Sequence, residues 1–290
     1  STAAELNLLD GLDRGSILYG NASSATTVLG QGSADQVLTS DGNDISWEDA
    51  SGGGASDLDG LSDCKSGGTD FANSMLLGHQ TTGTLDAASY NTAVGYAAMD
   101  ELTSGDQNTL MGYSAGHSIT TGSSNCAFGS VSLGENISSA GNSAFGTNAL
   151  MNNTAASNSA FGAYALDANT TGTNNVAVGY QTLSTNTDGG GNTAVGFNAL
   201  VASTGANNTV IGYEAGDAIS TGGSNVAIGK GALSAEDTGS QNVAIGLEAS
   251  KVQNVNSARS VAVGEHTLYS NVSGTGNTAV GQKAGHTTTG

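Results

Sequence analysis

A short phrase that ends in glycine recurs thirteen times between residues 74 and 281. Clear copies occupy residues 91–95, 142–146 and 225–229, and the closing glycines are almost evenly spaced. A period this regular is typical of stacked copies of one small unit. The sequence therefore predicts an all-β fold, a parallel β-roll or β-solenoid of about 13 coils with about 17 residues each. The closing glycines are Gly78, Gly95, Gly112, Gly129, Gly146, Gly162, Gly179, Gly196, Gly212, Gly229, Gly246, Gly264 and Gly281.

Composition supports an ordered rod and narrows the choice of partners. Glycine supplies 45 of the 290 residues, there is no proline, and only 11% of residues are charged. Apolar residues nevertheless recur at fixed places in the repeat, which a disordered chain does not require. The formal net charge of −19 argues against nucleic acid and anionic membranes, because both would repel the chain. No apolar run reaches the roughly 18 residues of a membrane span, so no membrane insertion is expected.

The phrase itself predicts which side chains fill the rod. Numbered from its first residue, usually asparagine, the phrase has a large apolar residue at position four and usually alanine at position three. Positions two and four of a strand share one face. Where position four is phenylalanine, position two is Cys126, Ser143 or Ser159, and such an exchange of size is expected of close packing. Position four is therefore predicted to form the repeat core, which comprises Leu77, Val94, Met111, Phe128, Phe145, Phe161, Val178, Val195, Ile211, Ile228, Ile245, Val263 and Val280.

Position three is then predicted to face away from the interior. A strand that is apolar on both faces should be covered on both, and alanine forms a narrow stripe suited to close contact with another copy. We therefore expect a homo-oligomer packed along the rod axis, with three chains as the natural number. The predicted trimer stripe comprises Ala93, Ala127, Ala144, Ala160, Ala177, Ala194, Ala227, Ala244, Ala262 and Ala279.

The rest of each coil predicts a second short strand and a return turn. Pairs such as Ala149 and Leu150 follow the glycine and indicate the strand, and a Thr-Gly pair such as 171–172 indicates the turn. The asparagines at position one are expected to bond their own turns and to form a ladder along the rod.

The phrase Asn-Thr-Ala-Val-Gly-Tyr at residues 91–96, with its Ala-Leu pairs and Thr-Gly turns, resembles the head repeats of trimeric autotransporter adhesins. It is equally similar to repeat regions of bacteriophage tail fibres. In the adhesins this repeat builds a trimeric, left-handed parallel β-roll, so the resemblance implies a left-handed homotrimer over residues 73–290. Residues 73–290 themselves contain no membrane-anchor barrel, long coiled-coil stalk or C-terminal self-cleaving chaperone, features that such adhesins or fibres carry.

The N-terminal part resembles phage fibre proteins more closely. Residues 2–11 look like a phrase common in those proteins, and Thr2 with Glu5 forms a capping box for a short helix. The predicted organisation is a short helix or connector at 1–14, a small β module at 15–50 anchored by Trp47, a linker at 51–72 and the repetitive shaft at 73–290.

Candidate catalytic and metal sites are weak. Residues 112–116, Gly-Tyr-Ser-Ala-Gly, match a hydrolase nucleophile elbow with His117 beside it. The slot of Ser114 holds Glu214 and Lys283 in other coils, so the serine is a variable repeat position. The acidic stretch at 41–44 lacks the ligand count of a calcium loop, and the cysteines and histidines share no metal-binding spacing. We expect a non-enzyme without metal or cofactor.

The residue after the closing glycine is aromatic in five coils. These rings are candidates for surface glycan contacts by stacking, and the alternative is that they cover neighbouring coils. The five residues are Tyr96, Tyr113, Tyr180, Phe197 and Tyr213.

Together these features favour a structural fibre of a phage virion, a tail fibre shaft that contributes to host-surface attachment outside the cell. Its expected partners are its own copies, other virion tail proteins, and a glycan or protein of the host surface. The alternatives are a bacterial trimeric surface adhesin head and a polysaccharide-cleaving tailspike, which would require paired carboxylates in a groove.

Overall fold

The computed structural model describes residues 16–20, 23, 26–33, 36–40, 45–49, 64–66, 69–78, 84–235, 238–253, 259–271 and 275–288. The chain divides into two compact units, Ser1–Leu61 and Ser62–Gly290. The helix expected at 1–14 lies outside the described residues.

The first unit contains two antiparallel hairpins in the region where a small β module was expected. The Trp47 indole N–H donates a hydrogen bond to the Gly30 carbonyl at 2.6 Å. Its ring lies so close to Gly32 that a Cβ there would stand 2.6 Å from it. The strands are β1 (Ile17–Gly20), β2 (Thr26–Leu29), β3 (Gln36–Ser40) and β4 (Ile45–Asp49).

The second unit is a parallel β-solenoid of about eleven turns. All thirteen glycine phrases form strands, in one 14-stranded sheet, although the turns are fewer than the thirteen coils expected. The described residues contain no helix. The parallel strands are β7 (Met75–Leu77), β9 (Thr92–Val94), β10 (Thr109–Met111), β11 (Cys126–Phe128), β12 (Ser143–Phe145), β13 (Ser159–Phe161), β14 (Val176–Val178), β15 (Thr193–Val195), β16 (Thr209–Ile211), β17 (Val226–Ile228), β18 (Val243–Ile245), β20 (Val261–Val263) and β22 (Thr278–Val280).

Shorter strands complete the two ends of the solenoid. These strands are β5 (Cys64–Ser66), β6 (Phe71–Ala72), β8 (Ala88–Ser89), β19 (Val252–Gln253), β21 (Ser270–Asn271) and β23 (Thr287–Thr288). The fourteenth strand of the main sheet, β5, pairs antiparallel with β7. Both β5 and β6 lie within residues 51–72, so part of the predicted linker belongs to the folded unit. Parallel pairs join β6 to β8, and β21 to β19 and β23.

Equivalent positions of successive phrases pair directly. Ala127 of β11 lies opposite Ala144 of β12, and Phe128 opposite Phe145. The same register holds from β7 to β22, although the coils differ slightly in length. The length differences are therefore absorbed in the loops, and each position of the phrase forms a straight row along the stack.

The two faces of the strand are the reverse of the prediction. Position three is buried in a single chain, whereas positions two and four are exposed or half-buried. The predicted core was wrong: Leu77, Val94, Met111, Phe128, Phe145, Phe161, Val178, Val195, Ile211, Ile228, Ile245, Val263 and Val280 lie on the outer face. The predicted trimer stripe was wrong too, because Ala93, Ala127, Ala144, Ala160, Ala177, Ala194, Ala227, Ala244 and Ala262 are buried inside the chain, and Ala279 is partly buried against the same core.

The width of the interior explains this reversal. The wall facing the sheet is formed by the residues three and four places after the glycine, such as Ala149 and Leu150, and both are fully buried. One coil of about 17 residues encloses space for an alanine side chain from the strand and a leucine side chain from the opposite wall. Phenylalanine or isoleucine at position three in every coil would overfill this space.

The wall opposite the sheet consists of turns and not of the second strand that was predicted, and we call it the turn wall. Asn148 and Leu150 have φ values of +58° and +53°, which strands do not contain. Their amides bond in opposite directions along the stack, from Asn148 to the Ser130 carbonyl and from Leu150 to the Ala165 carbonyl, each at 3.0 Å. The wall thus joins coils by hydrogen bonds without forming a regular ladder.

Candidate interaction surfaces

A buried asparagine ladder holds the rows of the sheet in register, as the sequence predicted. The Oδ1 atom of Asn175 accepts a hydrogen bond from the Asn192 amide at 2.9 Å, and its Nδ2 donates to the Gly189 carbonyl at 2.9 Å. The same pattern repeats along the stack. Each side chain thus ties its own strand to the return turn of the same coil and to the first residue of the next coil.

A second asparagine ladder was missed in the sequence. Asn169 donates to the Oδ1 of Asn153 at 2.6 Å, and Asn186 donates to the Oδ1 of Asn169 at 3.0 Å. All three side chains are fully buried. The sequence carries a signal for this ladder, because asparagine occupies the seventh place after the closing glycine in four successive coils, at Asn136, Asn153, Asn169 and Asn186.

The outer face of the sheet carries an apolar row at position four along the whole stack, beside a second row, position two, that is threonine or serine in seven of the thirteen strands. Its two rows, positions two and four, contain no charged residue in any of the thirteen strands. Met111 is 47% exposed, Phe161 41% and Ile211 40%. Monomeric proteins rarely leave such long apolar surfaces uncovered.

Aromatic rings stack along this face and along the adjacent corner of the coil, which is formed by the residue directly after the closing glycine. Phe128, Phe145 and Phe161 lie at position four in successive coils, with ring centroids 5.1 and 4.8 Å apart. Tyr96 and Tyr113 stack at 5.8 Å in the preceding coils. In the following coils Tyr180 stacks on Phe197 at 5.5 Å, and Phe197 on Tyr213 at 5.3 Å. Eight successive coils therefore contribute rings, which lie at the corner, then on the sheet, then at the corner again. The coil of Phe161 contributes a second ring, Tyr164, which meets Tyr180 edge-on at 6.0 Å.

This stacking bears on the predicted glycan contacts. Sugars stack on the faces of aromatic rings, but both faces of Phe197 are covered by its neighbours. The outer face of Tyr213 has the Lys230 ammonium 5.6 Å from its centroid. Tyr96 and Tyr113 are 67% and 58% exposed, so glycan binding by the five residues stays a prediction.

A polar cluster joins the last coils in the turn wall, from residues two and five places after the closing glycines. The Lys251 ammonium lies 2.7 Å from one Glu248 carboxylate oxygen, and His266 Nε2 lies 3.3 Å from the other. Tyr269 stacks on His286 at 5.1 Å. The hydrogen bond from Lys251 lowers the pKa of Glu248 and, reciprocally, raises the pKa of Lys251. Sequence reasoning missed this cluster because its members come from different coils and meet only when the coils stack.

The structure gives little geometry for catalysis or metal binding at the motifs considered earlier. Ser114 lies in the turn wall with φ +51°, and the buried Nδ1 of the neighbouring His117 has no hydrogen-bond partner in the described chain. Cys126 is a free, half-buried thiol on the outer face, and burial raises its pKa. Within the described ranges, no three His, Cys, Asp or Glu side chains are grouped to hold a metal ion. The described part of the chain also contains no helix of the length and hydrophobicity needed to cross a membrane.

Two aspartates have raised pKa values in the turn wall. Burial raises the pKa of Asp167, and burial followed by repulsion from Glu214 raises that of Asp217. One carboxylate oxygen of each is buried without a hydrogen-bond partner. Both residues occupy the fifth place after a closing glycine.

Comparison with protein-family models, with curated proteins and with solved structures finds no match for this chain.

Proposed function

We propose that this chain is a structural, non-enzymatic shaft of a phage tail fibre, built from several parallel copies and contributing to host-surface attachment. The observation that carries the proposal is the uncharged outer face, with an apolar residue at position four of every strand, that runs along a regular β-solenoid. A solenoid of this kind is a stiff spacer, and the thirteen strands at about 4.8 Å per step extend roughly 60 Å. A continuous apolar face on a spacer is suited to bundling copies side by side.

The size of the face supports self-association. A phenylalanine carries about 150–250 Å² of surface, so the 41% exposure of Phe161 leaves roughly 60–100 Å² open. Summed over both rows, the face offers on the order of 1,000 Å², compared with about 800 Å² per partner in a standard stable interface. Three copies is the number that the resemblance to adhesin heads and fibres favours.

The charge distribution supports the same assignment. The chain has 25 acidic and 6 basic residues, and none of them occupies the two outer rows. Copies of an acidic chain repel each other at long range, so they can approach closely only where the surface carries no charge. The acidic remainder of the surface keeps the assembled shaft soluble and leaves its corners available to other tail proteins and to a host glycan or protein.

The self-association is tested by one substitution and a matched control. Ile228→Glu places a charge in the outer face, and Thr221→Glu places the same charge on an exposed turn. We expect light scattering to show an oligomer for the parent and for Thr221→Glu, and a monomer for Ile228→Glu with an unchanged circular dichroism spectrum. A monomeric parent chain would refute the oligomeric part of the proposal.

The biological role is tested on particles. Antibodies against the solenoid should label the tail of virions in electron micrographs, and the purified chain should compete with virions for adsorption to host cells. Label on the bacterial surface and not on particles would favour the adhesin head. Turnover of a capsular or cell-wall polysaccharide by the purified chain would contradict the non-enzymatic assignment and favour the tailspike.

A further inference from the structure

The bases of the solenoid are concentrated at one end of the stack. Residues 66–229 contain ten acids and no lysine or arginine, whereas residues 238–290 contain three bases and two acids, which leaves one positive charge. Exposed charges act over about 8 Å at physiological salt. Three coils extend about 10 Å along the rod, so a ligand on the last three coils responds mainly to the charges of those coils. The acidic net charge of the whole chain therefore does not exclude an anionic ligand at this end.

The same change occurs within two rows of the turn wall, the residues two and five places after each closing glycine. In the nine coils from Gly95 to Gly229 these rows hold four acids and no lysine or arginine. In the last three coils they hold two lysines, two histidines, one tyrosine and one acid, and we call these six residues the basic patch. They are Lys251, Lys283, His266, His286, Tyr269 and Glu248.

The acid of the basic patch is already paired. One carboxylate oxygen of Glu248 lies 2.7 Å from the Lys251 ammonium, and the other lies 3.3 Å from His266 Nε2. The next acid, Glu265, lies at the corner and accepts a hydrogen bond at 3.0 Å from the glutamine that precedes Lys283. Lys283 itself is exposed and forms no ion pair among the described residues. Its ammonium is therefore the positive group most available to a ligand.

The two histidines make the charge of the patch depend on pH. Histidine changes charge between about pH 5 and pH 8, so acidification adds positive charge to the patch. The His266 ring lies edge-on to Tyr269 at 5.3 Å and to His286 at 6.5 Å, and His286 stacks on Tyr269 at 5.1 Å. The lysines and glutamates around the two imidazoles balance each other, so protonation of the imidazoles gives this surface a net positive charge. The charged and titratable groups around them are Glu248, Lys251, Glu265, Tyr269 and Lys283.

We infer that the basic patch binds an anionic polysaccharide through its carboxylate or phosphate groups, with Lys283 as the principal contact. The inference rests on the host-surface attachment in the proposed function, and it specifies the class of ligand and its place on the shaft. Duplex nucleic acid fits less well, because it carries one negative charge about every 1.7 Å and would extend along the rod onto the acidic coils. A polysaccharide combines its anionic groups with neutral hydroxyls, which can bond to uncharged polar neighbours of the patch such as the exposed Gln282.

Binding of polysaccharides to the full chain tests this inference. The probes are polygalacturonate, which carries carboxylates, phosphomannan, which carries phosphates, uncharged dextran, and duplex DNA. Lys283→Gln removes one positive charge from the patch and Lys283→Arg keeps it. The matched control, Lys65→Gln, removes one positive charge at β5, the opposite edge of the main sheet. Biolayer interferometry measures each affinity at low and at physiological salt, at about pH 6 and about pH 8, and circular dichroism checks that each variant is folded.

We expect at least one of the two anionic polysaccharides to bind, and dextran not to bind. Lys283→Gln should lower the affinity about five-fold, the effect of one cation near an anionic surface, whereas Lys283→Arg and Lys65→Gln should bind as the parent does. Binding should be stronger at the lower pH, and His286→Gln should reduce this pH dependence.

Several results would overturn the inference. They are binding of neither anionic polysaccharide, equal affinity for dextran, tighter binding of DNA than of either polysaccharide, and equal effects of Lys283→Gln and Lys65→Gln. A loss of affinity in Lys283→Arg as large as that in Lys283→Gln would also contradict it, because the charge is retained. The shaft proposal would stand in each case, since light scattering and virion labelling test it separately.

Discussion

The column of closing glycines is the feature of the solenoid most sensitive to substitution. Gly146 has φ +134°, and a Cβ on it would stand 2.6 Å from both the carbonyl carbon and the carbonyl oxygen of Gly162. Both atoms belong to the backbone of the next coil, which is held by its own hydrogen bonds, so the chain cannot yield as a flexible side chain would. We predict that Gly146→Ala is among the most destabilising single substitutions in this chain.

The magnitude follows from two terms. A non-glycine residue forced into this region of φ costs about 1–3 kcal/mol, and overpacking against fixed neighbours costs about another 1–3 kcal/mol. We therefore expect Gly146→Ala to lower the free energy of unfolding by about 4 kcal/mol. Because each coil is supported only by its neighbours, the loss should be concentrated in the adjacent coils.

Gly141 provides the control within the same coil. It also has positive φ, +70°, but its nearest neighbour to an added Cβ is the Ser157 hydroxyl oxygen, 3.9 Å away. Asparagine occupies the equivalent slot at Asn174 with φ +60°. Gly141→Asn should therefore change the unfolding free energy by less than about 0.5 kcal/mol.

Urea unfolding followed by circular dichroism measures both variants. All samples are compared at one protein concentration, because self-association adds a concentration-dependent contribution to stability. Equal unfolding midpoints for Gly146→Ala and Gly141→Asn would refute the reasoning, since it would mean that neither the φ value nor the backbone approach limits the turn.

Three further outcomes follow from individual side chains. Asn175→Ala removes the acceptor of the Asn192 amide and one donor to a turn carbonyl, so it should cost about 2–4 kcal/mol in urea unfolding, whereas Asn174→Ser on the surface should be nearly neutral. Because the pKa of Asp217 is raised, the folded state binds its proton more tightly than the unfolded state does, and ionisation of Asp217 lowers stability as pH rises through that raised pKa. Asp217→Asn should therefore stabilise the chain at pH 7 and lose this advantage below about pH 4. Melting temperatures at the two pH values measure the difference. Burial raises the pKa of the Cys126 thiol, so its alkylation should be slower than that of an exposed thiol at pH 8 and should accelerate toward higher pH; a rate equal to that of a small-molecule thiol would contradict the half-buried placement.

The repeat made several features of the fold accessible from the sequence. Every glycine phrase forms a strand in parallel register, because a constant period leaves each coil one way to stack on the last. The Asn175 ladder was predictable for the same reason, since a polar residue at a fixed place in every coil must meet its equivalents. These inferences used only periodicity and did not require knowledge of which face points inward.

The orientation of the strand was not accessible in the same way. Ala144 and Phe145 are both apolar, so hydrophobicity gives no preference between faces, and size favoured the phenylalanine as core. The space inside a coil decides the matter, and that space is set by the opposite wall. Leu150 lies in this wall at φ +53°, a conformation that leucine rarely adopts, so local preferences predicted a strand and concealed how narrow the interior is.

The polar cluster at the last coils was missed although the period predicts it. Glu248 and His266 each lie two places after a closing glycine, and Lys251 and Tyr269 each lie five places after one. Because the strands of these coils pair in register, side chains at equal distances from the closing glycine meet, and His266 lies 3.3 Å from Glu248.

The reversal of faces gives the size exchange its meaning. An outward row that met only solvent would vary freely, as the corner row does when it holds Lys230 and Glu265 after the glycine in later coils. The two outer rows instead exclude charge in all thirteen strands, and cysteine or serine occupies position two in all three phenylalanine coils. The interior of the coil does not impose this pairing, because the buried residue between the rows is alanine both in the phenylalanine coils and in the valine coil that follows, as Ala144 and Ala177 show. We propose the self-association described above as the source, because a sister chain packed on the outer face contacts both rows at once.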